Sequence, residues 1–153
     1  AEKSLDLTVI VTIAASFALG AALHKTGVAG LLADGIVFLS QGEAWLMLIL
    51  AYLAVSLLTE MITNNGAALL MLPIVLEMTT KVGLNAEPFV FAVMIAASAS
   101  FATPLGYQTN LMVYGPGGYR FSDFLKVGLP MNLLVGLVAI TVLLLGWDFY
   151  LPA

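Results

Sequence analysis

The chain has no cysteine, a single histidine and few charges: five lysine or arginine and nine aspartate or glutamate residues among 153. Without cysteine, disulfides, thiolate metal ligands and cysteine nucleophiles are excluded. Neither H-E-x-x-H nor G-x-S-x-G occurs, so an enzyme is not the expected class. Charged residues make up 9% of the chain, whereas soluble domains carry about 25%. The net charge of −4 says little about partners, because the charges cluster at loop positions. No basic patch offers a nucleic-acid surface.

What fills the chain is apolar: 61% hydrophobic residues and a mean hydropathy of +1.07. Uncharged runs cover Ala44–Thr59, Met61–Leu76, Pro88–Tyr119 and Val127–Trp147. The last is 21 residues long, and a helix needs about 20 to cross the bilayer core. An outer-membrane barrel would show alternating segments of about ten residues, but these runs are unbroken. The expected class is an all-α integral membrane protein. The sequence lacks an initiator Met and a signal-peptide pattern and reads as a piece of a longer polypeptide.

Taken in order, residues 5–24 read as a spanning helix ending at His24-Lys25 and broken by Thr26-Gly27. His24 at a helix end is either a proton carrier or a simple cap, and its lysine neighbour favours the cap. Residues 27–39 are too short to span and read as an interfacial helix around Asp34. Residues 43–81 form two apolar arms interrupted at Thr59-Glu60-Met61-Ile62-Thr63-Asn64-Asn65-Gly66. Polar groups at such depth are costly unless they are used, so this stretch reads as the tip of a re-entrant hairpin. Residues 87–118 contain a second interruption, Ala102 to Asn110, where Pro104 and Gly106 stop a regular helix. Ser122 caps a short turn, and residues 127–148 are the last span, anchored by Trp147 and Tyr150. Arg120 and Lys126 before that span make the loop around residue 120 cytoplasmic by the positive-inside rule.

Two broken elements carry a specific chemistry. Where a helix stops at depth, its last carbonyls attract a cation, and the amides opening the next half-helix attract an anion. The hairpin supplies carbonyls around Glu60–Thr63 and amides around Gly66–Ala68; the second break does the same around Ala102–Gly106 and Thr109–Leu111. Glu60 is either a proton or cation site or a structural carboxylate, with the structural role favoured. Thr-Asn-Asn-Gly is also ordinary turn chemistry in water, and an exposed loop at residues 59–66 would imply no site.

At these residues the sequence resembles the divalent anion:sodium symporters, a family of dicarboxylate, citrate and sulfate permeases. Thr59 to Ala68 followed by Leu72-Pro73 is similar to that family's hairpin signature. Ala102-Thr103-Pro104-Leu105-Gly106-Tyr107-Gln108-Thr109-Asn110 and the stretch to Tyr119 resemble its unwound segment, and Gly20-Ala21-Ala22-Leu23-His24-Lys25-Thr26-Gly27 resembles the pattern that precedes the hairpin. The resemblance covers nearly the whole chain and implies the C-terminal inverted repeat of a secondary transporter in a bacterial inner (plasma) membrane.

It further implies that Thr63, Asn64, Asn65, Thr109 and Asn110 contact the substrate. Thr63, Asn64, Ala102, Thr103, Pro104 and Gly106 would hold Na⁺ as the coupling ion, with no cofactor. Asn65 stands where the family usually has Thr. The implied activity is sodium-coupled symport of a small anion within an elevator-like homodimer that includes a partner N-terminal repeat. A cation/proton antiporter, an arsenite-type exporter and a non-transporting structural subunit are the alternatives.

Overall fold

A computed structural model describes residues 11, 14, 15, 18, 21–23 and 25–150. The described positions between 11 and 23, together with Lys25, are helical. Much of the spanning helix expected at 5–24, including His24, lies outside the described residues.

Six helices follow: α1 (Val28–Ser40), α2 (Ala44–Thr59), α3 (Asn64–Val82), α4 (Glu87–Ser98), α5 (Gln108–Tyr114) and α6 (Phe121–Gly146). Among the described residues the only β-type pairing is an isolated antiparallel bridge between Leu84 and Tyr150. The all-α expectation is met in that sense.

Local chemistry sets the boundaries. Gly27 before α1 has φ +74°, and Gln41 and Gly42 after it also take positive φ. Such a left-handed exit ends a helix, because the next amide turns back to the last carbonyls. Here Gly42 N–H reaches Val37 O at 3.2 Å. Thr63 caps α3, its Oγ1 accepting from Gly66 N–H at 3.2 Å, which satisfies one of the orphan donors of a first turn. Pro73 lies inside α3 without ending it. Pro88 occupies the first turn of α4, where its missing N–H costs nothing.

The core is built where α2, α3 and α4 meet. Along α2, Met47, Leu48, Ala51, Tyr52, Val55 and Thr59 are buried; they recur with helical spacing and define one inward face. α3 answers with Met71, Ile74, Val75 and Met78, and α4 with Phe89, Ala92, Val93, Ala96 and Ala97. The small residues of α4 bring its backbone close to its neighbours. α1 lays Ala29 and Ala33 inward, and Lys81 on α3 bridges to it, 2.6 Å from Asp34 Oδ1. The α3–α4 corner is tied to the chain end: Asn85 N–H donates to Phe149 O at 2.8 Å, and the Phe89 and Phe149 rings meet edge to face.

One boundary differs from the expectation. The last helix starts at Phe121, not after Lys126, and runs for 26 residues. No residue between 121 and 127 breaks a helix, so a change in polarity there was not a change in conformation. Asp123 rather than Ser122 closes its start, accepting from Arg120 N–H at 2.9 Å. Among the described residues, α6 is the one helix long and apolar enough to cross a membrane alone. α1, α2 and α4 are shorter apolar helices; the 16 residues of α2 rise about 24 Å, less than the roughly 30 Å hydrocarbon core.

Candidate functional site

The two interruptions meet. Residues 60–63 separate α2 from α3, and residues 99–107 separate α4 from α5. The second gap opens three residues before the sequence expectation, and α5 starts at Gln108. Thr109 and Asn110 therefore sit in the first turn of α5 rather than in the break.

The carbonyls released at the ends of α2 and α4 are taken up across this junction. Thr59 Oγ1 donates to Ala97 O at 2.8 Å, Ser100 Oγ donates to Thr59 O at 3.2 Å, and Thr103 Oγ1 donates to Glu60 O at 2.8 Å. Thr103 Oγ1 also accepts from Gly106 N–H at 3.4 Å. Orphan carbonyls of helix ends need partners when water is excluded, and here hydroxyls of the opposite segment supply them.

Glu60 reaches across in the same way. Its Oε1 accepts from Ala102 N–H at 3.1 Å and from Asn132 Nδ2 of α6 at 2.7 Å. Its Oε2 is buried with no hydrogen-bond partner among the described residues. Asn132 Oδ1 accepts from Phe101 N–H at 3.2 Å. Asn110 closes the loop from the other end: its Nδ2 donates to Ser100 O at 3.1 Å and to Thr103 O at 3.2 Å.

Asn64 stands at the centre. One edge of its carboxamide lies 2.9 Å from Gly106 O, 3.0 Å from Thr59 Oγ1 and 3.2 Å from Ala97 O. All three neighbours are oxygens, and the Thr59 proton is directed to Ala97 O. Without an ion, nitrogen at that edge satisfies all three oxygens, whereas oxygen there is met only by the Thr59 hydroxyl, at 3.0 Å. With the oxygen there instead, four oxygens face one another, a set that a hard cation such as Na⁺ can hold together.

At this junction close approach requires glycine at two positions. A Cβ on Gly106 would collide with Ser100 Oγ and the Thr59 carbonyl. A Cβ on Gly128 of α6 would collide with the Phe101 carbonyl and Ala102 Cα. α6 thus touches the broken segment backbone to backbone.

Of the residues expected from sequence, Asn64, Ala102, Thr103, Gly106 and Asn110 share this network, and Pro104 is buried within it. Thr63 acts as the α3 cap and, with Asn65 and Thr109, is exposed. A cleft of ≈ 460 Å³ lies between Phe101, Asn110, Tyr119, Asp123 and Gly128, and residues 59–66 do not line it. Thr59 as a participating side chain, Ser100 and Asn132 were not anticipated. The last had a legible signal: it is the one carboxamide within the apolar run Val127–Trp147.

The sequence matches the citrate transporter family (CitMHS) over residues 1–152. It is 46% identical over 133 residues to an uncharacterized transporter of Synechocystis sp., covering 84% of this chain and 21% of that protein. To sodium/sulfate cotransporter 1 of Chlamydomonas reinhardtii it is 39% identical over 140 residues, 90% of this chain and 16% of that one. With human solute carrier family 13 member 4 it shares 24% identity over 146 residues, 95% of this chain and 23% of that one. The chain thus spans a quarter or less of the length of these relatives. The match over residues 1–152 means that this chain belongs to the citrate transporter family, a family of transporters rather than enzymes, and its relatives match the divalent anion:sodium symporters.

Proposed function

We propose that this chain is one inverted repeat of a secondary transporter that couples Na⁺ entry to uptake of a small anion such as a dicarboxylate, citrate or sulfate. In this reading α2 and α3 are the arms of a re-entrant hairpin, α4 and α5 the halves of an unwound spanning helix, and α1 an interfacial helix.

The observation that carries the reading is the Asn64 carboxamide edge against Gly106 O, Thr59 Oγ1 and Ala97 O, at 2.9 to 3.2 Å. In the ion-free state nitrogen faces these oxygens. When Na⁺ enters, the amide turns over and offers Oδ1, so one side chain serves both states. Unwound carbonyls and helix C-terminal ends are suited to Na⁺ at membrane depth. Thr63, Ala102, Thr103 and Pro104 frame the same junction.

The anion is held next to the cation, by the opening amides of α3 and the exposed side chains of Thr63, Asn65 and Thr109. No lysine or arginine occurs between Lys25 and Lys81 or between Lys81 and Arg120. Within this chain, charge neutralisation therefore falls to amide dipoles and the co-bound cation, which ties its share of anion binding to Na⁺. The remaining contacts come from the partner repeat in the longer polypeptide, which works as a homodimer in the inner membrane.

The test is uptake of labelled sulfate, citrate and succinate by the full polypeptide in proteoliposomes, with and without an inward Na⁺ gradient. Uptake of at least one anion that requires the gradient supports the reading. Uptake indifferent to Na⁺ removes the coupling, and no uptake of any of the three removes the substrate class.

A further inference from the structure

We infer that Asn132, in the middle of the last spanning helix, is a positioning residue for the cation site, acting through a clamp on two consecutive backbone amides. The inference rests on the sodium-coupled reading above.

Asn132 Oδ1 takes the Phe101 N–H, while Asn132 Nδ2 donates to Glu60 Oε1, which takes the N–H of Ala102, the next residue. Thus the amides of Phe101 and Ala102 are gripped from α6 and from the end of α2, respectively. Directly after them, Thr103 Oγ1 binds the Glu60 carbonyl at 2.8 Å. The entry of the broken segment is thereby fixed to the hairpin over three successive residues. That register sets where Gly106 O lies relative to Thr59 Oγ1 and Asn64.

The backbone contact at Gly128 lies one helical turn before Asn132, and Gly136, one turn after it, packs on Tyr52. Gly128, Gly136, Ala139 and Leu143 form the buried face of α6, and Asn132 is the polar member of that face. A carboxamide suits the position because it accepts from one backbone amide and donates to a carboxylate at once. Aspartate would set a second carboxylate against Glu60, and leucine would remove the side-chain partner that fixes the Phe101 N–H. Groups that orient the ligands of a metal change its affinity by roughly 10- to 100-fold when removed.

The experiment uses the full polypeptide in detergent, with thermal unfolding followed across a Na⁺ titration at constant ionic strength, choline replacing Na⁺. Bound Na⁺ raises the unfolding temperature by mass action, so the half-saturating Na⁺ is read without knowing the transported anion. Asn132→Leu is expected to raise it by at least about tenfold, and Asn132→Asp by more. The exchange variant Glu60→Gln with Asn132→Asp restores one donor and one carboxylate at the contact. It is expected to recover at least half of that loss on a logarithmic scale.

A folded Asn132→Leu protein with unmoved half-saturation overturns the positioning role. If Asn132→Leu does not fold, the pair Asn132→Asp and the exchange variant decides: recovery supports the clamp, and no recovery overturns it. A wild-type protein whose unfolding ignores Na⁺ overturns the sodium reading and the positioning role together. A Na⁺-responsive wild type whose variants all keep its half-saturating Na⁺ overturns the positioning role alone.

Discussion

Thr59 and Ala97 are 38 positions apart in sequence, yet the Thr59 hydroxyl donates to the Ala97 carbonyl at 2.8 Å. The last residue of one helix thereby satisfies a carbonyl near the end of another, and the two helix ends face each other across a junction built of their own backbones. Hydroxyl, carboxamide and carboxylate side chains then complete what neither helix end satisfies alone.

Thr59→Val keeps the volume and removes the donor. Thr59 is fully buried, so Ala97 O and the Asn64 amide each lose a partner. The expected loss is about 1–2 kcal/mol of stability, with Thr59→Ser losing less. Chemical unfolding of the purified full-length protein in detergent measures both.

Gly106→Ala places a methyl group on the Thr59 carbonyl and Ser100 Oγ. The junction must open to accept it, at a cost of about 1–3 kcal/mol, and with it the oxygens around Asn64 separate. The stabilisation by Na⁺ should be lost. Gly115→Ala is the control, since nothing lies within 4 Å of its added methyl group and its φ of −72° is open to any residue.

Gly128→Ala pushes α6 away from Phe101 and Ala102, where the contact is with backbone and not with a side chain that turns aside. A loss of about 1–3 kcal/mol is expected. Gly146→Ala, at the far end of the same helix and in open space, should be near neutral in the same unfolding assay.

Asp34→Asn removes the short contact to Lys81. Asp34 is largely exposed, so despite its length of 2.6 Å the pair is expected to contribute no more than about 1 kcal/mol. Lys81 also reaches Gly30 O at 3.3 Å, which softens the loss. Unfolding at low and high salt should show the wild-type advantage shrinking as salt rises.

Much of the site was legible because polar residues stand out within apolar runs. Thr63, Asn64 and Gly66 where α2 gives way to α3 stood out as a polar interruption in an apolar run, and Pro104 with Gly106 in the second break as chain breakers. The start of α6 was misplaced because Lys126 marks a change in polarity, while a helix end needs a breaker or a cap. Asn132 and Ser100 were passed over for a different reason. Their importance lies in partners 72 and 41 positions away, Glu60 and Thr59, and a single sequence carries no sign of which distant residue a side chain meets. The placement of Asn110 shows the same limit: a residue expected to face the substrate turns its amide onto the Ser100 and Thr103 carbonyls.

The central claim is that the Asn64 edge facing Gly106, Thr59 and Ala97 is where Na⁺ binds, and Asn64→Asp tests it most directly. A carboxylate can only accept, so without a cation it is repelled by the Gly106 and Ala97 carbonyls, and with one it is a stronger ligand than the amide. In thermal unfolding of the full-length protein at pH 8, with choline exchanged for Na⁺, the variant should be less stable than wild type without Na⁺. It should then gain more in Tm than wild type as Na⁺ is added. An Asn64→Asp protein whose Tm is the same with and without Na⁺ would contradict the claim.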